Sequence, residues 1–321
     1  MNNVWVICKK ELNDFLADRF MLVLFVFLVL IMVVSVAVSS ADFRSKIADY
    51  NQYTAALRAT GSLIPHQPQL FPLQLLRGSI EYLELIGALF AAIIGYGLIA
   101  KEKHRGTLQL LFSRPISGYT LAAGKLLALA LLWLLTVTGI FTVITASLVL
   151  IGNAPLQAVD IARLLIVAGM ACLYLLLWSS VAMGLAVIAR NLSTALIITI
   201  ALWLIFVLIL PQIGDTMDPD NQVPGGLFKS LQVDKAHEKA VTDHFAGYET
   251  TRNYVEVSSV TKQFERPVFA ILGTNDSYNQ KSIAFVVVRL WPNALSLLLN
   301  TVAAVVFALR LTTKKRLLRK E

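Results

Sequence analysis

Residues Leu83–Gly118 read LELIGALFAAIIGYGLIAKEKHRGTLQLLFSRPISG. The first half, Leu83 to Ala100, is an apolar run interrupted only by Glu84, and a helix needs roughly 20 such residues to cross the hydrocarbon core of a bilayer. The second half turns polar at once. Lys101, Glu102, Lys103 and Arg105 would each cost about 2.5 to 3.5 kcal/mol at a bilayer centre, so the chain has left the hydrocarbon by Lys101. Gly106 permits a change of direction, and Leu108, Leu111 and Phe112 then share one face at helical spacing. Pro115 stops that short helix, with Ser113 and Ser117 as turn and cap residues. From Leu126 the chain is apolar again. A crossing, a charged turn bearing an apolar tooth, and a second crossing predict a membrane-spanning helical bundle.

The rest of the chain repeats this alternation. With 57% of its 321 residues hydrophobic and 15% charged, it lies outside the range of soluble domains. The predicted fold is an all-α polytopic membrane protein with six transmembrane helices, an N-terminal interfacial helix and a small α(+β) extracytoplasmic domain. The spans are expected at residues 20–40, 83–100, 121–151, 164–189, 194–211 and 283–310. Residues 1–19 place Trp5, Cys8, Leu12, Phe15 and Leu16 on one face, which fits either a helix lying along the membrane or an extension of the first span. Residues 101–120 form the charged turn, and 311–321 a basic tail.

Two long polar segments, 41–82 and 212–282, emerge on one side and are expected to build the outer domain. The first holds a helix and a proline-broken loop. The second offers a loop at 214–226, an amphipathic helix at 228–245 and the strand-like YVEVSS at 254–259. Lys9, Lys10, Arg19, Lys101, Lys103, Arg105, Arg114, Lys125, Arg190 and the basic tail all fall on the opposite side, while the short turn before Asp160 has no Lys or Arg. The positive-inside bias therefore places both termini in the cytoplasm. It also accounts for the net charge of +8 without nucleic acid. Two cysteines, Cys8 and Cys172, give no spacing for a disulfide framework or metal cluster.

From physics alone, the apolar tooth fits a partner's groove or a bed of lipid headgroups equally. The residues around it resemble a known family. Glu102, Gly106-Thr107-Leu108, Leu111, Ser113, Pro115-Ile116-Ser117 and Gly124-Lys125 match the E-x-x-x-G-T-L…L-x-S-x-P-I-S…G-K signature of ABC-2 type transporter permeases. The likeness is nearest the six-span branch that includes the permease of the nitrous-oxide reductase maturation system. Lys9 to Leu12, KKEL, and the span order extend it more weakly along the chain.

The resemblance implies a permease subunit in a bacterial cytoplasmic membrane that exports a cargo or transmits force outward. It implies a separate ABC ATPase subunit, which binds ATP and Mg2+ while this chain holds no cofactor. It further implies a second permease copy. In that family Glu102 orients the coupling helix formed by Gly106, Thr107, Leu108, Leu111, Phe112, Ser113 and Pro115, and Leu108, Leu111 and Phe112 fill the ATPase cleft. The outer segments depart from shorter members and leave the cargo open, an extracytoplasmic protein among the choices. The rival class is a membrane scaffold or receptor that binds partners through its outer domain and transports nothing.

Other patterns carry less. Gly118 to Leu126 nearly forms a phosphate-binding loop, but five residues separate its glycines instead of four, and Leu126 replaces the magnesium-binding Ser or Thr. His237-Glu238 starts a zinc-protease motif whose second histidine position holds Val241. Glu81, Glu84, Arg163 and Arg289 lie near the outer membrane boundary, as an outer gate or as charges snorkelling at helix ends. Thr138, Thr142, Thr145, Ser179, Ser180 and Asn300 either line a path or bond helices together.

Overall fold

A computed structural model describes residues 2–60, 71–108, 112–113, 116–217, 237, 240, 246–275, 278–279 and 281–318, and among them there are helices and no strands. In chain order the helices are α1 Asn2–Ala17, α2 Arg19–Thr60, α3 Pro72–His104, α4 Gly118–Leu150, α5 Ala158–Ile188, α6 Leu192–Thr216, α7 Ala246–Ser258, α8 Val260–Leu272, α9 Ile283–Leu311 and α10 Lys314–Leu317. Six of them, α2 to α6 and α9, are long and apolar enough to cross a membrane. The chain is a multi-pass membrane protein.

Helix α1 ends at Ala17 and α2 begins at Arg19, so the N-terminal helix is separate from the first span. Asp18 makes the joint, its Oδ1 accepting the Phe20 N–H at 2.9 Å. Where the sequence suggested a span and then a distinct outer helix, α2 continues unbroken for 42 residues. Its backbone ladder is indifferent to the change from apolar to polar side chains at Asp42, and no Gly or Pro interrupts it.

Helix α5 forms the centre of the bundle, flanked by α3 on one side and α9 on the other. The approach of α3 depends on Gly95, where a Cβ would run into the Ser179 carbonyl. The indole of Trp133, on α4, donates to Ser179 Oγ at 3.0 Å, which joins α4 to the same point. Helices α3 and α6 each contain one wider π turn, Leu83–Gly87 and Leu204–Ile209. Trp203, just before the second, donates its indole N–H to the Leu85 carbonyl within the first, at 3.2 Å. A carbonyl loosened from its own ladder thus gains a partner on a neighbouring helix.

The expected α(+β) character of the outer segment is corrected. YVEVSS is not a strand but the end of α7 and its exit to Ser259. Its alternation of Val with polar residues matched a strand period, but Arg252 and Glu256 pair one helical turn apart at 2.9 Å. Helix α8, which the sequence reading did not anticipate, starts at the Ser259 cap and buries Phe264, Val268, Ile271 and Leu272 against the bundle. The amphipathic helix expected over 228–245 lies, but for His237 and Ala240, outside the described residues; both of these are helical.

Candidate functional site

The turn after α3 is built as its residue types suggest. Arg105 N–H still reaches Lys101 O, and Gly106, with φ +65, adopts the left-handed conformation that ends a helix. Thr107 and Leu108 are helical again, and the Phe112 N–H donates to Leu108 O at 3.1 Å. Ser117 then caps α4, its Oγ accepting the Thr120 N–H at 3.0 Å. Lys103 donates to the carbonyls of Ala186 and Ala189 at the end of α5, which ties the turn to the centre of the bundle.

Leu108 and Phe112, expected in a partner's cleft, are 3% and 6% exposed and pack into this chain's own core. Leu111 and Pro115 lie outside the described residues. Lys314, in α10, places its ammonium 5.6 Å from the Phe112 ring and reaches the Phe112 carbonyl at 3.5 Å, and Leu317 of the same helix is buried in the core. The basic tail is therefore a floor for the turn. Among the described residues from His104 to Ser117, those exposed to solvent are His104, Arg105, Gly106, Thr107, Ser113 and Ser117.

Beneath that surface three separated pieces of sequence meet. Lys125, fully buried, places Nζ 2.8 Å from Glu11 Oε1 and 2.9 Å from Glu102 Oε1, and donates to Leu98 O at 3.1 Å. Glu11 comes from α1, Glu102 from the last turn of α3 and Lys125 from the second turn of α4. Lys101 adds a contact to Glu11 Oε2 at 3.0 Å, and Lys10 bridges Asp14 and Glu102 at the rim. Three ammoniums thus face three carboxylates, with Lys125, Glu11 and Glu102 buried and Lys10, Lys101 and Asp14 balancing them from the partly exposed rim. Gly124 lets α1 lie this close, since a Cβ there would stand 2.7 Å from the Ile7 side chain.

Burial by itself would raise the Glu11 carboxyl, but Lys125, Lys101 and Lys10 outweigh it and hold the group at about 2. Burial likewise works against the Lys10 ammonium, and Glu11, Glu102 and Asp14 raise it nonetheless. Because the folded value of Glu11 lies below its ordinary 4.5, its contribution is complete above that value and is lost as pH falls toward about 2. The protection of α1 amides against hydrogen exchange, taken relative to the intrinsic rate at each pH, should thus stay high through neutral pH and fall between pH 4.5 and 2. Protection already lost at pH 6 would contradict this docking.

From sequence, Lys125 counts toward topology and belongs to the Gly124-Lys125 signature, and Glu11 appears only within KKEL, with nothing to join the two. A signal was present, because a lysine inside an apolar helix needs a named partner. The opposite end of the bundle separates its four charges. Glu81 pairs with Arg77 at 2.9 Å, Glu84 is buried, Arg163 donates to the carbonyls of Ile271 and Lys281, and Arg289 is exposed. Among the described residues no ion pair joins either glutamate to either arginine. A cleft of about 460 Å3 there is lined by Arg252, Glu256 and Arg266 and by Asp215, Lys262 and Glu265, which bind each other across α6, α7 and α8. Of the polar residues within the spans, Ser179 and Asn300 bond to other helices, Asn300 to Gln263 at 2.8 Å, whereas Thr138 and Thr142 bond back to their own.

Among the described residues no group of His, Cys, Asp and Glu has the arrangement of a metal site. No curated protein matches the chain. The sequence pattern of the ABC-2 family transporter proteins matches residues 5–317, nearly its whole length, and covers α1, the buried ion cluster and all six spans. The chain therefore belongs to the ABC-2 transporter family, as a membrane subunit that leaves ATP hydrolysis to a partnering ABC ATPase.

Proposed function

We propose that the chain transmits the stroke of its ATPase subunit across a bacterial cytoplasmic membrane, for export or for mechanical work on an outer partner, as in the six-span branch that includes the nitrous-oxide reductase maturation permease. Both termini and the turn at 101–120 face the cytoplasm. Two copies pair, each seating one ATPase subunit, which binds ATP and Mg2+. Residues 41–82 and 212–282 face outward, and α7 and α8 belong to the surface that meets the cargo or an extracytoplasmic protein.

The observation that supports this reading is the union of Glu102, Lys125 and Glu11 under the turn. A connector between two spans needs no buried ion cluster at its root, whereas a surface that must receive force without yielding does. Docking falls to His104, Arg105, Thr107 and Ser113, while Leu108 and Phe112 hold them from below and Glu102 fixes the root. Replacing Leu108 and Phe112 by Ser would therefore unfold the turn as well as release a partner.

The sharper test is Arg105→Glu with Thr107→Trp, two exposed positions at the tip of the turn. The double variant should keep its melting temperature while the ATPase subunit recovered on copurification falls about tenfold, equivalent to about 1.4 kcal/mol. Undiminished recovery would move docking elsewhere. A wild-type chain that recovers no ATPase subunit would support the scaffold or receptor class.

A further inference from the structure

We propose that the Ile283 end of α9 binds an anionic phospholipid, with Lys281 and Arg289 on its headgroup, the charge of Arg163 behind them, and its acyl chains along the exposed face of the helix. The proposal needs α9 to cross the bilayer. It depends neither on the ATPase seat nor on which way the bundle faces.

The depth of these residues follows from counting. Helix α9 has 29 residues, more than the roughly 20 that cross the hydrocarbon core. Arg310, exposed in its last turn, stays out of hydrocarbon, and about 20 residues back from it the other boundary falls near Leu290. Arg289 therefore stands at that boundary, with Phe285 and Lys281 at headgroup level. Trp291, 56% exposed, lies at the same depth, where indole rings collect.

Positive charge gathers at this depth without an acid to balance it. Among the described residues no carboxylate forms an ion pair with Arg163, Lys281 or Arg289. Asp160, one turn before Arg163, caps its own helix by accepting the Gln157 N–H at 3.0 Å, and Glu265 is held by Lys262 at 2.8 Å. Arg163 donates to Lys281 O at 2.8 Å and to Ile271 O at 3.2 Å, so neutral carbonyls fix its charge behind the start of α9. Its Nε is buried and has no hydrogen-bond partner. The Lys281 ammonium lies 5.8 Å from the centre of the Phe285 ring, and the Tyr278 ring 6.5 Å from it. Ser282 caps α9 by accepting the Phe285 N–H, and the positive end of the helix dipole adds to the same field. A zwitterionic headgroup would bring its own cation into this cluster, whereas an anionic one would not.

The surface below the cations suits acyl chains. Phe285, Val288, Pro292, Leu295, Leu299 and Val302 follow at spacings of three and four residues, and all are exposed. The opposite face, with Leu297, Thr301, Ala304 and Ala308, is buried in the bundle. The exposed strip runs without a break from headgroup level into the core, which fits a lipid and not a water-soluble anion. A second copy is the poorer occupant. Twofold pairing sets a surface against itself, and α9 has no Asp or Glu from Ile283 to Leu311 to meet Arg289.

The test uses the full chain with Cys8 and Cys172 replaced by Ala and a bimane fluorophore at Leu295→Cys. The bilayers are phosphatidylcholine carrying either brominated phosphatidylglycerol or brominated phosphatidylcholine. Quenching in the parent should give phosphatidylglycerol at least a fivefold higher relative affinity. Lys281→Gln with Arg289→Gln should lower that ratio at least threefold, and Lys281→Arg with Arg289→Lys should retain it. A fluorophore at Leu134→Cys, exposed on α4, should report less than a twofold preference. A parent ratio short of fivefold, a ratio that the glutamines leave unchanged, or an equal preference at Leu134 overturns the site. Absence of quenching by either lipid overturns it as well, because the face would then be covered by protein, a second copy included.

Discussion

Replacing Lys125 with methionine is expected to lower the stability of the chain by about 3 to 5 kcal/mol, the usual cost of removing one partner from a buried ion cluster. Methionine fills nearly the same space, so the loss is electrostatic. Glu11 and Glu102, 1% and 6% exposed, would be left beside each other with the ammonium between them gone. Lys101 reaches Glu11 Oε2, and Lys10 reaches Glu11 Oε1 at 3.0 Å and Glu102 Oε1 at 3.6 Å, but both come from the exposed rim and neither replaces the buried ammonium, while Glu102 Oε2 already has no hydrogen-bond partner. Thermal melting in nanodiscs should show the loss, with early proteolysis of α1 as its local sign. Adding Glu102→Gln should return more than half of it, because the repulsion disappears and Lys101 still serves Glu11. A single variant as stable as the parent would mean that the three groups are not joined as described.

The second large effect concerns two glycines one residue apart. A Cβ at Gly95 would overlap the Ser179 carbonyl, whereas one at Gly97 meets nothing within 4 Å. Gly97→Ala should thus be neutral or stabilising by up to about 1 kcal/mol, the ordinary helix preference for Ala. Gly95→Ala must push α3 away from α5 and should cost about 3 kcal/mol or more, at or beyond the upper end for overpacking. Lipid offers no hydrophobic drive to restore the contact, and close packing is what holds spans together. The displacement would also strain the Trp133 bond to Ser179 and the Lys103 bonds to the end of α5. Melting temperatures of the two variants check this directly, and equal values would refute the close approach.

Much of this architecture was legible in the sequence because lipid imposes simple terms. Runs of about 20 apolar residues have to be helices, and Lys101 to Arg105 have to lie outside the hydrocarbon. Gly106 and Ser117 announced the two ends of the turn through backbone chemistry confined to a few residues. What escaped depended on separation along the chain. Lys125 meets Glu102 at a separation of 23 and Glu11 at 114, and no local pattern links them. The fate of Leu108 and Phe112 was equally hidden, since an apolar face reads the same whether it serves a partner or the chain's own core. Around Asp42 the local cue misled, because polarity marks the edge of the membrane and not the end of a helix. In YVEVSS an alternating pattern too short to find a neighbouring strand gave way to the Arg252–Glu256 turn.

The floor beneath the turn also sets an order of events in biosynthesis. Lys314 touches Phe112 from 202 residues further along the chain, and Leu317 of the same helix is buried in the core. While the ribosome is still translating the last span, the turn has its root but still lacks its contact with Lys314. A nascent chain therefore presents an unfinished surface to its companion, and a message broken before codon 314 would yield spans that insert but never mature.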